Sequence, residues 1–467
     1  MTKKIPFSAA LIGLICTAAV MFFCLVVLKT EPQIPLFIGC IIASIIALSC
    51  RYSVKDIFRG MWQGIRQSLG AIVILLLIGI LIGVWIAAGV VPAMVYYGLQ
   101  LISPRLFLAS TMLVCALISM ALGSWGTAGT VGLAFMGIAR TMGIPLSLTA
   151  GAIISGSYVG DKLSPMADST NLASAVAEVN IFDNIRNIFK VALPMLLLCL
   201  VLYTAVGWKY GDNLTADSLT NIQQVNDVLS RTFHLNVFTF FPLLVLLVCI
   251  LVKIPAIPSI AVAIVTGGVY GLCVRHTSLK ELLLCAYFGY TGSTDHAMVN
   301  DLLTAGGLRS MFYSVSIVIL AMAFGGVMEH TGQMEILVAP IVNEVRGFVG
   351  LMTATVLTCV GINLVLPDQY IAIALPGRMY AASYDKQGMT RKDLALGIGV
   401  GGALTSALVP WNTCGIFMSG VLGVETLRYL PFAFYNYGML FAAVIYAFIR
   451  EKRKKNSAKK EPKKSQK

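Results

Sequence analysis

One short stretch of the chain, residues 160–171, has the side chains needed to bind a small cation. It reads Gly-Asp-Lys-Leu-Ser-Pro-Met-Ala-Asp-Ser-Thr-Asn and follows an apolar segment. Carboxylates and neutral oxygens are the hard ligands that Na⁺ or a proton needs where water is scarce. The stretch therefore predicts an ion-binding or proton-binding site. Its candidate ligands are Asp161, Asp168, Ser164, Thr170 and Asn171.

The two aspartates of this stretch are seven residues apart, so they would share a face of one continuous helix. Pro165 between them favours a break in the helix instead. Lys162 could neutralise one aspartate when no cation is bound, although a lysine at the end of a membrane span usually extends to the interface. The alternative for the whole stretch is a polar surface loop with Ser169 or Asn171 capping the next helix.

A second group of candidates lies later in the chain, where prolines again precede polar residues. Asp368 follows Pro367, while Asn412 and Thr413 follow Pro410 by two and three positions. Glu329 lies in an apolar run, where a carboxylate is costly unless it is paired or protonated. We predict a site with charged ligands from one half of the chain and mainly neutral ligands from the other.

The composition of these 467 residues is that of a polytopic membrane protein, with 58% hydrophobic and 12% charged residues. Ten apolar runs approach the length of about 20 residues that crosses a bilayer. They cover Pro6–Leu28, Ile34–Cys50, Leu69–Gly89, Phe107–Leu122, Ile188–Trp208, Phe233–Val252, Ile257–Val274, Met311–Gly332, Phe348–Leu366 and Leu430–Ile449.

The charge distribution predicts that both termini are cytoplasmic. Residues 450–467 hold ten basic and two acidic residues, which accounts for +8 of the net charge of +13. Such a tail is typical of a positive-inside anchor, which can also contact anionic lipid. No aromatic residue lies among its lysines, so a nucleic-acid partner is not expected. The eleven cysteines lack a Cys-x-x-Cys pair and do not suggest a cofactor or a resident metal.

Three local similarities predict that the chain contains two copies of one unit. Lys55-Asp56 is repeated as Lys280-Glu281, and the glycine-rich run at 82–89 is repeated at 325–332. The Pro165 block is repeated around Pro410, and an insertion at 290–308 explains the growing offset. The predicted first repeat is 1–210 and the second is 233–450, with an extracytoplasmic connecting loop at 211–232 and a cytoplasmic tail at 451–467.

Loop charges indicate that the second repeat is inverted relative to the first. The loop after the second span is basic, as a cytoplasmic loop should be, whereas its counterpart in the second repeat is balanced. Each repeat also has segments too short to span a membrane: 126–139 and 148–160 in the first, 369–383 and 394–409 in the second. Paired broken helices in inverted repeats are typical of the substrate site of secondary transporters. The segment 91–103, which contains Pro92, could be a re-entrant or an interfacial piece.

The motifs resemble those of the NhaC family of bacterial Na⁺/H⁺ antiporters. The resemblance rests on Gly123–Thr127, on Ser155–Leu172 with its Gly-Asp-Lys-x-Ser-Pro-x-x-Asp-x-Thr-Asn block, and on Val409–Gly415. It implies a cytoplasmic-membrane antiporter, not an enzyme, that exchanges Na⁺ for H⁺. Competition of Na⁺ and H⁺ for Asp161 or Asp168 would couple the two fluxes, because desolvation favours the protonated acid.

Two alternatives remain open from the sequence. The same family has malate/lactate-type members, and an organic-acid exchanger would need a fixed cation, for which Lys162, Arg140 and Arg378 are the candidates. An intramembrane aspartyl protease is the remote alternative, because Tyr384-Asp385 and Gly160-Asp161 only poorly match its two motifs. The sequence leaves open whether the protein is a homodimer.

Overall fold

The computed structural model describes residues 5–28, 30–101, 103–165, 167–211, 216–233, 235–252 and 254–460. This part of the chain is helical and has no strand, with one isolated bridge between Tyr290 and Ala305. The helices of the first half are α1 (Phe7–Phe22), α2 (Gln33–Ser49), α3 (Val54–Gln67), α4 (Leu69–Ala87), α5 (Val90–Leu101), α6 (Phe107–Thr127), α7 (Leu133–Thr141), α8 (Leu146–Leu163), α9 (Asp168–Val176) and α10 (Ile181–Gly211).

The second half continues the all-α architecture, so the predicted fold class is confirmed. Its helices are α11 (Ala216–Phe233), α12 (Phe241–Leu251), α13 (Ala256–Cys273), α14 (Leu279–Phe288), α15 (Ala297–Leu303), α16 (Phe312–His330), α17 (Gln333–Glu344), α18 (Phe348–Val365), α19 (Gln369–Lys386), α20 (Arg391–Ile398), α21 (Thr413–Leu422), α22 (Thr426–Tyr429) and α23 (Phe434–Lys460).

A helix lies at each of the ten predicted spans. Five of them are long and apolar enough to cross a membrane alone: α4, α10, α13, the stretch 308–330 that includes α16, and α18. Three more predicted spans fall on bent helix pairs, and two fall on the shorter apolar helices α1 and α2. Much of the predicted connecting loop at 211–232 is helix α11, while residues 212–215 and the tail beyond 460 lie outside the described part of the chain.

Helix breaks lie beside the segments predicted to be broken, but 148–160 and 369–383 are themselves inside the continuous helices α8 and α19. In α6 the backbone of Gly123 has φ 68°, a conformation that favours glycine, and it kinks the helix there. Helix α8 ends at Leu163 and α9 begins at Asp168, as Pro165 predicts. A second set of breaks separates α18 from α19 and α20 from α21. π-Helical turns at Ala128–Gly132 and Gly399–Leu404 lie beside these breaks.

The helices of the two halves follow the same order, as the predicted duplication requires. The series α2, α3, α4, α5, α6 corresponds to α13, α14, α16, α17, α18, and the pair α8, α9 corresponds to α20, α21. The extra helix α15 lies inside the predicted insertion at 290–308. The inversion of the second copy is not tested by this order and stays a prediction.

The two copies exchange packing partners reciprocally. Helices α2 and α3 pack on α16 of the other copy, and their counterparts α13 and α14 pack on α4. Glycines permit the close approach, because a Cβ on Gly64 would lie 2.0 Å from the carbonyl oxygen of Met322, and one on Gly83 would lie 2.1 Å from that of Cys285. This exchange places α4 and α16 in equivalent positions, beside the broken helices that form the site.

Candidate functional site

Asp161 lies in the last turn of α8, where only 7% of its surface is exposed. Its Oδ1 accepts weak hydrogen bonds from the backbone N and the Oγ of Ser124, at 3.3 and 3.4 Å. Its Oδ2 accepts a bond of 2.7 Å from the Oγ of Ser169. The kink at Gly123 and the first turn of α9 therefore both supply donors to this carboxylate.

Lys162 forms a buried ion pair with Asp161. Its Nζ lies 3.4 Å from Oδ2 of Asp161 and donates a bond of 2.5 Å to the Oγ of Ser169. Only 1% of the lysine is exposed. Of the two alternatives for Lys162, this burial does not fit a side chain that extends to the membrane surface, and the ion pair fits the neutralisation of an aspartate.

Asp168 differs from Asp161 in both exposure and pairing. It occupies the first position of α9, and its side chain is exposed at the wall of a cavity. Within the described part of the chain, its carboxylate makes no hydrogen bond or ion pair. Its oxygens are thus available to a ligand that enters the cavity.

Asp368 is the N-cap of α19 and is buried. Its Oδ1 accepts hydrogen bonds from the backbone N–H groups of Tyr370, at 2.7 Å, and Ile371, at 3.1 Å. Thr413 begins α21 beside it, and its N–H donates to the carbonyl oxygen of Pro367 at 2.9 Å. The helix N-termini of the second copy thus face the same region as Asp161 and Asp168, and they favour negative charge there.

A cavity of about 780 Å³ joins these groups, and we refer to it as the main cavity. All three aspartates line it, together with Ser164 and Thr413. Its walls come from both copies, with α4, the α6 kink and α9 on one side and α13, α19 and α21 on the other. The second half thus supplies a carboxylate, Asp368, as well as the neutral Thr413, and the predicted division into charged and mainly neutral ligands stays a prediction.

One serine of the site, Ser124, was missed by the sequence analysis, whereas Ser169 belongs to the polar stretch already considered there. Ser124 follows the kinked Gly123, and Ser169 follows Asp168 in the polar stretch; both line the main cavity and bond to Asp161. The glycine-rich run at 123–129 was the available signal for Ser124, because a kinked helix exposes its N–H groups to a ligand.

Three predicted ligands of the polar stretch have structural contacts. Thr170 donates to the carbonyl oxygen of Asp161 at 3.0 Å, and Ser164 donates to that of Met120 at 2.6 Å. Asn171 is exposed, and its Nδ2 donates to the carbonyl oxygens of the preceding loop. Of the three, only Ser164 also lines the main cavity, so the structure places Asn171 and Thr170 outside the lining.

Asn412 is fully buried behind the cavity wall. Its Nδ2 donates to Oδ1 of Asn363 at 3.0 Å, and its own Oδ1 accepts from the N–H of Cys414. Asn363 in turn donates to the carbonyl oxygen of Gly402 at 2.6 Å. Asn412 therefore fixes the break before α21 and is not part of the cavity lining, in contrast to the prediction.

The remaining candidates lie away from the main cavity. Glu329 is half-buried near the end of α16 and does not line the main cavity. Arg378 is exposed. Arg140 donates to the carbonyl oxygen of Asp301 at 2.8 Å and borders a different, smaller cavity. Neither arginine lines the main cavity.

The chemistry of the main cavity is that of a site for a small cation. Among the described residues that line it there is no lysine, arginine or histidine. In the described part of the chain, no three side chains of His, Cys, Asp or Glu lie close enough together to hold a resident metal ion. Separate carboxylates around a water-accessible space suit a weakly held monovalent cation or a proton better than a tightly held divalent metal.

Comparison with known sequences gives consistent results. A profile of the Na⁺/H⁺ antiporter family matches residues 156–449. The malate-2H⁺/Na⁺-lactate antiporter of Bacillus subtilis (strain 168) is 34% identical over 418 residues, which is 89% of each chain. The Na⁺/H⁺ antiporter NhaC of the same organism is 34% identical over 96% of this chain and 99% of its own. The NhaC antiporter of Alkalihalophilus pseudofirmus is 32% identical over 96% and 97%, respectively.

Proposed function

The chain belongs to the Na⁺/H⁺ antiporter family, and we propose that it exchanges Na⁺ for H⁺ across the cytoplasmic membrane as a secondary antiporter. The observation that supports this most directly is the main cavity, with carboxylates and no basic side chain among its described lining residues. Both termini would be cytoplasmic, as the basic tail predicts.

Asp168 is the carboxylate that binds the transported ion in this proposal. It has no partner among the described residues and is exposed to the cavity, whereas Asp161 is already neutralised by Lys162. Ser164 and Thr413 line the same cavity and supply neutral oxygens, while water completes the coordination of Na⁺. Asp161, Asp368 and the nearby helix N-termini set the local field.

Competition at Asp168 couples the two fluxes. A carboxylate that binds either Na⁺ or a proton, but not both, carries one ion in each direction when it is exposed alternately to the two sides. Elements beside the breaks contact each other across the two halves, α9 against α19 and the π turn after α6 against α21, and in this proposal one half moves against the other there. The inverted arrangement of the copies would make the two end states similar in energy.

Organic-acid exchange is the second candidate, because one relative is named a malate-2H⁺/Na⁺-lactate antiporter. A carboxylate substrate would need a fixed positive charge. Lys162 is 1% exposed and held by Asp161 and Ser169, while Arg140 and Arg378 lie elsewhere. The geometry therefore favours the exchange of inorganic cations.

Reconstitution in proteoliposomes tests the proposal. An outward Na⁺ gradient should drive proton uptake by the wild type, and Asp168→Asn should reduce this flux to the level of empty liposomes. Glu335→Gln, which removes an exposed carboxylate outside the cavity, is the matched control and should keep the flux. Full flux in Asp168→Asn would exclude this residue as the carrier. Uptake of labelled malate or lactate that depends on a Na⁺ gradient would favour the second candidate.

A further inference from the structure

A second, smaller cavity of about 260 Å³ lies at the other end of the helices that line the main cavity. Its lining residues come from α4, α5, α7, the first residue of α8, the insertion at 290–308, the turn before α16 and the end of α21. No residue lines both cavities. Neither the family resemblance nor the proposed carrier residue assigns a role to it.

The two cavities follow one another along three shared structural elements. On α4, Leu81 lines the main cavity and the next residue, Ile82, lines the second. Along the π turn and α7, Thr130 lines the main cavity and Leu133 lines the second cavity. On α21, Thr413 at the start of the helix lines the main cavity, whereas residues 420–422 at the end of the helix line the second cavity. The cavities are therefore end to end, with a thin partition between them.

The partition consists of closely packed apolar side chains. A Cβ on Gly129 would lie 2.9 Å from Cδ1 of Ile78, and one on Gly132 would lie 2.9 Å from Cγ2 of Ile153. These glycines let the π turn pack directly against its neighbours. Because a π turn departs from regular α-helical hydrogen bonding, it is a place where a packed helix can rearrange.

Charge and topology place the two cavities toward opposite sides of the membrane. Gln67 and Ser68 at one end of α4 line the main cavity, next to α3 with its Arg59 and Arg66, which the positive-inside rule assigns to the cytoplasm. The second cavity is lined instead by Asp301 and its neighbours in the charge-balanced insertion of the second copy.

We propose that the second cavity is the extracytoplasmic half of the ion pathway, separated from the main cavity in this conformation by the partition at Ile78, Gly129 and Gly132. The inference rests on the proposed antiport function. Its polar lining, from Arg140, Asp301, Thr304 and Ser310, would hydrate an ion on that side. At the edge of this cavity, the hydrogen bond from Arg140 to the carbonyl oxygen of Asp301 joins α7 to the insertion.

Thiol labelling from each side of the membrane tests this assignment. Ser310→Cys reports on the second cavity and Ala71→Cys on the main cavity, and none of the native cysteines lines either one. A charged, membrane-impermeant methanethiosulfonate is added to right-side-out or inside-out vesicles, and each labelled peptide is identified by mass spectrometry. Lys280→Cys, which is exposed and outside both cavities, is the control.

We expect label at Ser310→Cys only from the extracytoplasmic side and at Ala71→Cys only from the cytoplasmic side. Label at Ser310→Cys should also abolish Na⁺/H⁺ exchange, whereas label at Lys280→Cys should not. Access to both cavities from the same side would overturn the assignment, and so would full exchange by the labelled Ser310→Cys protein. Absence of exchange in the unlabelled wild type would instead refute the proposed function, and the sidedness of labelling would still decide where the second cavity opens.

Discussion

Replacing Lys162 with methionine should destabilise the protein through Asp161. Methionine is similar in length to the lysine stem, so the change removes the charge with little change in packing. Asp161 is 7% exposed and keeps the short bond from Ser169 and two long bonds from Ser124. Asp161 would lose the ammonium group of Lys162, which lies 3.4 Å from its Oδ2 and is its only ion-pair partner among the described residues.

The size of the effect follows from the burial of this pair. Removing one partner of a buried ion pair costs about 3 to 5 kcal/mol, because a charge stays behind without compensation. With an unfolding entropy of about 2.1 cal/mol/K per residue, a chain of 467 residues should show a fall in Tm of about 3 to 5 °C. Thermal unfolding of the purified protein in detergent at neutral pH measures this fall.

A second variant separates the charge from the packing. In Asp161→Asn/Lys162→Met both charges are absent, so most of the lost stability should return. The reasoning would be refuted if Lys162→Met were as stable as the wild type, or if Asp161→Asn/Lys162→Met were less stable than Lys162→Met.

Three further predictions concern packing, the second cavity and pH. Gly64→Ala should lower the free energy of unfolding by about 1 to 3 kcal/mol or more, because its Cβ would lie 2.0 Å from the carbonyl oxygen of Met322. Gly70→Ala should not lower it, because a Cβ there meets nothing within 4 Å. Thermal unfolding of both variants tests the difference. Arg140→Met should speed thiol labelling of Ser310→Cys from the extracytoplasmic side, and an unchanged rate would show that its bond does not restrict access. Lowering the pH on the Na⁺-binding side should raise the apparent KM for Na⁺ without changing the maximal rate, and a fall in the maximal rate alone would argue against competition.

Much of the fold could be predicted from the sequence, because a bilayer allows few choices. Apolar length alone located a helix at each span, and Pro165 marked a break that the structure contains. The polar residues at the helix breaks, Asp161, Asp168 and Asp368, could be selected because charged side chains are rare in such a chain and costly without a role.

The pairing within the site could not be predicted, because it depends on contacts between distant helices. Nothing in the local sequence shows that Ser124 would reach Asp161 across the kink in α6. The proline-associated amide of Asn412 looked like a ligand, but its partner is Asn363, which is 49 residues away. The burial of Lys162 likewise depends on how α8 and α9 pack, and this packing decides between an ion pair and a side chain that reaches the interface.

The central claim is that Na⁺ and H⁺ compete for one carboxylate of the main cavity. The most direct test is proton release from purified protein in weakly buffered detergent solution when NaCl is added. We predict that the wild type releases protons in proportion to the Na⁺ bound, and that Asp168→Asn releases none while Glu335→Gln behaves as the wild type. Na⁺ binding without proton release, or unchanged release by Asp168→Asn, would contradict the account.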